Sequence, residues 1–322
     1  MRIKGTFLDE ISHDIPHQNW GYQEWDNDFA RMKAVGIEMV ILIRCGYRKW
    51  QTFPSAVLKE EMECYEPTED LVKMYLELSE KHQMDFYFGL YDSGKYWINQ
   101  QFQEEVDLNK RLIDEVWEKY GHYSAFKGWY ISQECSRGTA KIVDLYAELG
   151  KHCKQVSNNL PVMLSPYIDG IKNLSQYSGE TSKNQGVSLK DHEKEWDIIF
   201  RGIKDAVDIV AFQDGHVEYN ELIDFLKINK KLADRYGLEC WTNTETFDRD
   251  MPIKFLPIKW DKLHLKMSLA EQAGIENAIT FEFSHFMSPN SAYLQAGHLY
   301  NRYKEYIHKK QENEHRAIKA AV

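Results

Sequence analysis

The chain has 322 residues, 43% of them hydrophobic and 28% charged, with 18 glycines and 8 prolines. That balance suits a protein with a substantial buried core and excludes disordered and collagen-like chains. No run of eighteen apolar residues offers a transmembrane helix, and the net charge of −10 argues against a nucleic-acid partner, whose phosphates are held by Lys and Arg.

The first residues, Met1 to Phe7, lack the apolar core of a secretory signal. The chain as it stands therefore reads as cytoplasmic, and as secreted or periplasmic only if a leader has been removed. Residues 3–8 open a series of eight short runs rich in β-branched and aromatic residues, followed by 39–43, 85–90, 128–132, 161–165, 208–212, 239–243 and 278–283. Between the second and third, Leu71, Met74, Tyr75 and Leu78 recur at helical spacing, with Glu69 and Asp70 before them and Lys81 and His82 after. Similar stripes occupy 102–120, 142–156, 219–236 and 263–273, and 292–307 supplies a last helix. Eight β-then-α repeats of about 40 residues each predict a single α/β domain, a (β/α)₈ TIM barrel over residues 1–308, with a charged, frayed tail at 309–322. A doubly wound sheet is the alternative, but the first turn, Leu8-Asp9-Glu10-Ile11-Ser12, has no G-x-G-x-x-G cradle. The longest aperiodic segments follow strands one, two, five and seven, among them 169–195 and 246–260. They predict extended loops on the C-terminal face, where barrel active sites lie. By their length, the loops after strands one, two and five read as walls that close one end of a cleft.

Cys45, Cys64, Cys135, Cys153 and Cys240 are odd in number and form no C-x-x-C pair, so they are expected as reduced, buried side chains. The strand ends are more informative because a barrel gathers them at one mouth. In order they carry Asp9 and Glu10, Arg44, Tyr91 and Asp92, Gln133 and Glu134, Tyr167 and Asp169, Gln213 and Asp214, Thr244 and Glu245, and Glu282 with Ser284 and His285. Glu134 and Glu245 each stand just beyond an aromatic-rich strand, on strands four and seven, which face each other. Paired carboxylates with separated pKa values can serve as acid and nucleophile in glycoside hydrolysis, or as acid and base when farther apart. On the residues alone, another pair drawn from Glu134, Asp214, Glu245 and Glu282 remains open.

Trp50 and Trp97, with Tyr167, lie in loops where rings could stack on sugar faces, while Arg44, Gln133, Gln213, Asp214, Glu282 and His285 could bind hydroxyls. His13, His216 and His285 have no histidine partner at ligand spacing, so no metal is expected, and no cofactor. No strand offers a mouth-facing Lys for Schiff-base chemistry, and the loops after strands seven and eight lack glycine for a phosphate.

Glutamates ending strands four and seven make the chain resemble the retaining TIM-barrel glycoside hydrolases. That resemblance implies a carbohydrate substrate, Glu134 as acid/base, Glu245 as nucleophile and Arg44 beside the nucleophile. Where that superfamily has Asn before the acid and Trp on strand eight, this chain has Gln133, and Phe283 then Phe286. Over nearly its full length, through Gly128-Trp129-Tyr130, Phe212-Gln213-Asp214-Gly215, Phe281-Glu282-Phe283 and Met287-Ser288-Pro289, the chain also resembles a bacterial family of glycoside-hydrolase-like barrels of unknown function. A non-catalytic carbohydrate-binding barrel, or an inverting hydrolase using Asp214 or Glu282, is the alternative reading.

Overall fold

The computed structural model describes residues 1–13, 15–137, 140–170, 186–249 and 255–321. Eight parallel strands form a closed barrel: β1 (Ile3–Leu8), β2 (Met39–Leu42), β3 (Asp85–Gly89), β4 (Phe126–Tyr130), β5 (Val162–Leu164), β6 (Ile209–Gln213), β7 (Glu239–Asn243) and β8 (Ala278–Thr280). Each pairs with its neighbours in chain order, and β8 returns to β1 through Gly5↔Ile279 and Thr6↔Thr280. Gly89 permits the β2–β3 approach, since a Cβ there would lie 1.9 Å from the Leu42 carbonyl oxygen.

Among the described residues, one long helix follows each strand: α1 (Tyr22–Ala34), α2 (Leu71–His82), α3 (Phe102–Tyr120), α4 (Ala140–Val156), α5 (Leu189–Ile203), α6 (Tyr219–Tyr236), α7 (Trp260–Gln272) and α8 (Leu294–Ala321), with short helices besides at Ala56–Met62 and Phe283–Phe286. Asp70 caps α2 by accepting from the Lys73 N–H at 2.9 Å, and Ser188 caps α5 in the same way through Asp191. The buried face of α2 is Val72, Tyr75, Leu76, Leu78 and Ser79, so the expected stripe is rotated and leaves Leu71 and Met74 half-covered. The segment read as a frayed tail continues α8, where Lys310 pairs with Glu271 and Glu314 with Arg2.

Alternation along the strands separates two cores. Leu8, Val40, Leu42, Phe86, Phe88, Trp129 and Phe212 face outward against the helices. Phe7, Met39, Ile41, Tyr87, Tyr130, Met163, Ile209, Ala211, Trp241 and Ile279 fill the barrel. All five cysteines are buried and unpaired, as expected. Two small sheets absent from the sequence reading sit on the mouth: Gly46–Tyr47 with Trp50–Gln51 and Tyr91–Asp92, and Phe247–Asp248 with Leu256–Pro257. Among the described residues, no helix is long and apolar enough to cross a membrane.

Candidate active site

The same alternation builds the mouth. Continuing inward from Tyr130, Ala211, Trp241 and Ile279 in steps of two leads to Glu134, Gln213, Asn243 and Glu245, and Phe281. All five line one cavity of about 130 Å³, together with Arg44, Ser12 and Ile43 from the β1 and β2 ends and Phe247, Arg249 and Phe255 from the loop after β7.

Glu245 is fully enclosed. Arg249 grips it bidentately, Nε to Oε2 at 2.7 Å and Nη2 to Oε1 at 2.6 Å, while its guanidinium lies 4.7 Å from the Phe247 ring centroid. Beneath it, the Asp214 carboxylate accepts from the Glu245 N–H at 3.2 Å and pairs with buried Lys266 at 2.7 Å, and Lys266 also donates to the Glu245 carbonyl at 2.9 Å. Gly215 leaves space for this arrangement, since a Cβ there would stand 1.9 Å from Glu245 Oε2. Burial by itself would raise the Glu245 pKa, but Arg249, Lys266 and His216 outweigh it and hold the carboxyl below the ordinary glutamate value.

Glu134 is largely buried and accepts a hydrogen bond from the Tyr130 hydroxyl at 2.8 Å. Burial in the cavity pushes its pKa up, and Arg44, Gln213 and Tyr130 offset that only in part. The two glutamates are therefore driven in opposite directions. The arginine that grips Glu245 is Arg249; Arg44, which the resemblance sets beside the nucleophile, lies 3.6 Å from Asp92 and acts electrostatically on Glu134.

Of the other expected residues, Gln213 lines the cavity and donates to the Ser165 carbonyl at 2.7 Å. Tyr167 is half-buried beside it, bridged to Gln213 through the backbone, with its ring edge-on to His216 at 5.1 Å. Gln133 points outward and spends its amide on the Tyr91 carbonyl and Glu105, both at 2.8 Å. Asp214 lies beneath the cavity, where burial raises its pKa to about 6 against the pull of Lys266.

Strand β8 ends at Thr280, three residues before the end of the predicted run. Glu282 then caps the short helix Phe283–Phe286, accepting from the Ser284 N–H at 2.8 Å and the His285 N–H at 2.6 Å. The His285 ring bridges Glu282 and the Pro16 carbonyl, so both residues are wholly buried away from the cavity. The β8 aromatic on the cavity is Phe281, whereas Phe283 lies in the helix-facing core. Trp97 donates to Asp92 at 2.9 Å and thereby braces the partner of Arg44. Trp50 stands over a separate groove.

Ser12, Asn243, Arg249, Phe255 and Phe281 escaped the sequence reading, whereas Phe247, one of the loop aromatics whose rings could stack on a sugar, does line the cavity. Strand parity could have found Asn243 and Phe281; Arg249 comes from a loop with no periodic signal. Asn243 donates to Ser165 Oγ at 2.9 Å and leaves its buried Oδ1 without a hydrogen-bond partner. Among the described residues, no cluster of three or more His, Cys, Asp or Glu could hold a metal ion.

The chain is 58% identical to a protein from Bacteroides thetaiotaomicron VPI-5482 named a "putative alpha-L-fucosidase", whose crystal structure it matches over 95% of its own length and 93% of the other's, with a TM-score of 0.90. The barrel also superposes on the endo-1,4-beta-D-mannanase of Thermotoga petrophila RKU-1, at 13% identity and a TM-score of 0.54, over 87% of each chain. It superposes likewise on the endo-1,4-beta-mannanase of Rhizomucor miehei, at 11% identity and a TM-score of 0.56, over 87% of this chain and 86% of that one. These two likenesses speak for the fold alone. No curated protein sequence matches the chain. Residues 3–293 match DUF4434, a domain of unknown function, and the chain belongs to that family.

Proposed function

We propose that the protein is a retaining glycoside hydrolase in which Glu134 is the acid/base and Glu245 the nucleophile. The observation that carries this reading is the pair of carboxyl groups on one small cavity, one pushed up in pKa and the other held down. Protonated Glu134 gives its proton to the glycosidic oxygen as that bond breaks, and ionised Glu245 attacks the anomeric carbon to form a glycosyl ester. Glu134, now a carboxylate, takes a proton from water, whose oxygen displaces Glu245 and returns the sugar with its starting configuration. The bidentate Arg249 pair keeps Glu245 charged, and the carboxylate retains further lone pairs for attack.

The name of the 58% identical relative makes aryl α-L-fucosides the first substrates to try, within a panel of aryl glycosides. Glu134→Gln is expected to lower kcat on the cleaved glycoside by about 10²–10⁴-fold, and less where the leaving group needs no proton. Glu245→Gln should remove turnover altogether and lower the thermal midpoint, since it leaves buried Arg249 without its carboxylate, whereas Glu134→Gln should keep the midpoint close to wild type. Binding of sugars without cleavage across the panel would overturn the hydrolase reading in favour of a carbohydrate-binding barrel.

A further inference from the structure

A groove of about 830 Å³ crosses the loops after β1 and β2. It is far larger than the cavity of about 130 Å³ that holds Glu134 and Glu245. Ser12 lines both spaces, and Tyr47, on the groove, carries the Arg44 guanidinium of the cavity 5.4 Å from its ring centroid. The two spaces therefore adjoin, with Ser12 between them.

The groove is an aromatic surface held in place by backbone. Trp50 pairs with Tyr47 across the short antiparallel sheet, and the Tyr65 N–H donates to the Lys49 carbonyl at 2.8 Å, which brings the Trp50 and Tyr65 rings to 5.0 Å. These rings are 62% and 54% exposed, an arrangement that folding alone does not call for. His13 stacks on Tyr47 at 5.4 Å, and Trp20, edge-on to Trp25 at 5.0 Å, also lines the groove. Among the described lining residues, Glu10, Glu66 and Glu69 are set against Arg48 as the one Lys or Arg, a balance that disfavours an anionic ligand.

We infer that this groove binds the uncleaved units of a neutral oligosaccharide, with Trp50 and Tyr65 stacked on the C–H faces of successive rings and the rim groups binding hydroxyls. The inference rests on the hydrolase reading for the direction of the chain, but sugar binding in the groove does not require cleavage. The test is calorimetric titration of the full chain carrying Glu134→Gln with manno-, xylo-, cello- and fucosylated galacto-oligosaccharides of two to six units. In the series that binds, Kd should fall with length, and adding Trp50→Ala should raise Kd for the longest member about tenfold, with the smallest change for the disaccharide. Trp50→Phe should restore most of that affinity, and an unchanged thermal midpoint for Trp50→Ala checks the fold. Absence of binding in every series, Kd independent of length, or an equal effect of Trp50→Ala at all lengths would overturn the inference. Binding through Trp50 by a wild-type protein that cleaves nothing would sink the hydrolase reading and leave the groove standing. Cleavage of aryl glycosides with no dependence of oligosaccharide Kd on length would do the reverse.

Discussion

Two of the carboxylate–cation pairs at the barrel mouth differ in what they leave unspent. Glu245 and Arg249 front a cavity that also holds Glu134, and beside them Asn243 keeps an unpartnered acceptor. Glu282 and His285, at the end of β8, close on themselves: the carboxylate takes two backbone N–H groups and the imidazole, and the imidazole reaches the Pro16 carbonyl. From sequence the two looked alike, each an acidic residue at the end of a strand run. Completeness of hydrogen bonding separates a group that holds a loop in place from one with valence left for a ligand.

The comparison can be broken in three places, beginning where the effect should be largest. Lys266→Met leaves Asp214 buried without its partner directly under Glu245, and chemical denaturation should show a loss of about 3–5 kcal/mol. A cost below about 1 kcal/mol would mean that Lys266 does not support the site. Gly215→Ala forces a methyl group against Glu245 Oε2 and Arg249 Nε. Displacing the carboxylate by about 1 Å should lower kcat/KM on the cleaved glycoside by about 10²-fold. Wild-type kinetics in that variant would argue that Glu245 need not be held where it is.

His285→Gln tests the closed pair and should cost about 1.5–3 kcal/mol of stability, with glycoside turnover little changed at temperatures where the variant is folded. Burial disfavours the His285 charge, but Glu282 outweighs it and raises the pKa to about 9. A folded-state pKa above the unfolded value of about 6.5 means that this stabilisation is complete below about pH 6.5 and lost as pH rises through about 9. The gap between wild type and His285→Gln should narrow across that window. A gap that widens with pH would contradict the charged pair.

Much of the fold was legible because strand runs and helical stripes recur with a regular period, and the structure moves mainly their ends; the helices at 22–34 and 189–203 carried no such legible stripe, and the second begins inside the segment expected as loop. The site was legible in part. Glu134 and Glu245 share strand parity with Tyr130 and Trp241, which fill the barrel, and so they reach the cavity. Gln133, Asp214 and Glu282 are one step out of phase, which sends them to the backbone, to Lys266 and to a helix cap. Applying the period of two beyond the strand ends would have separated them and selected Asn243 and Phe281. Arg249 could not be read this way, because its position depends on the hairpin of Phe247–Asp248 and Leu256–Pro257, which is fixed by tertiary pairing.

The most direct test of the central claim is mass spectrometry of the wild-type protein quenched during reaction with a 2-deoxy-2-fluoro aryl glycoside of the sugar it cleaves, followed by peptide mapping. The account predicts one glycosyl group, esterified to Glu245 and absent from Glu245→Gln. A label on Glu134, Asp214 or Glu282, or an unlabelled protein that releases a first product of inverted configuration, would contradict it.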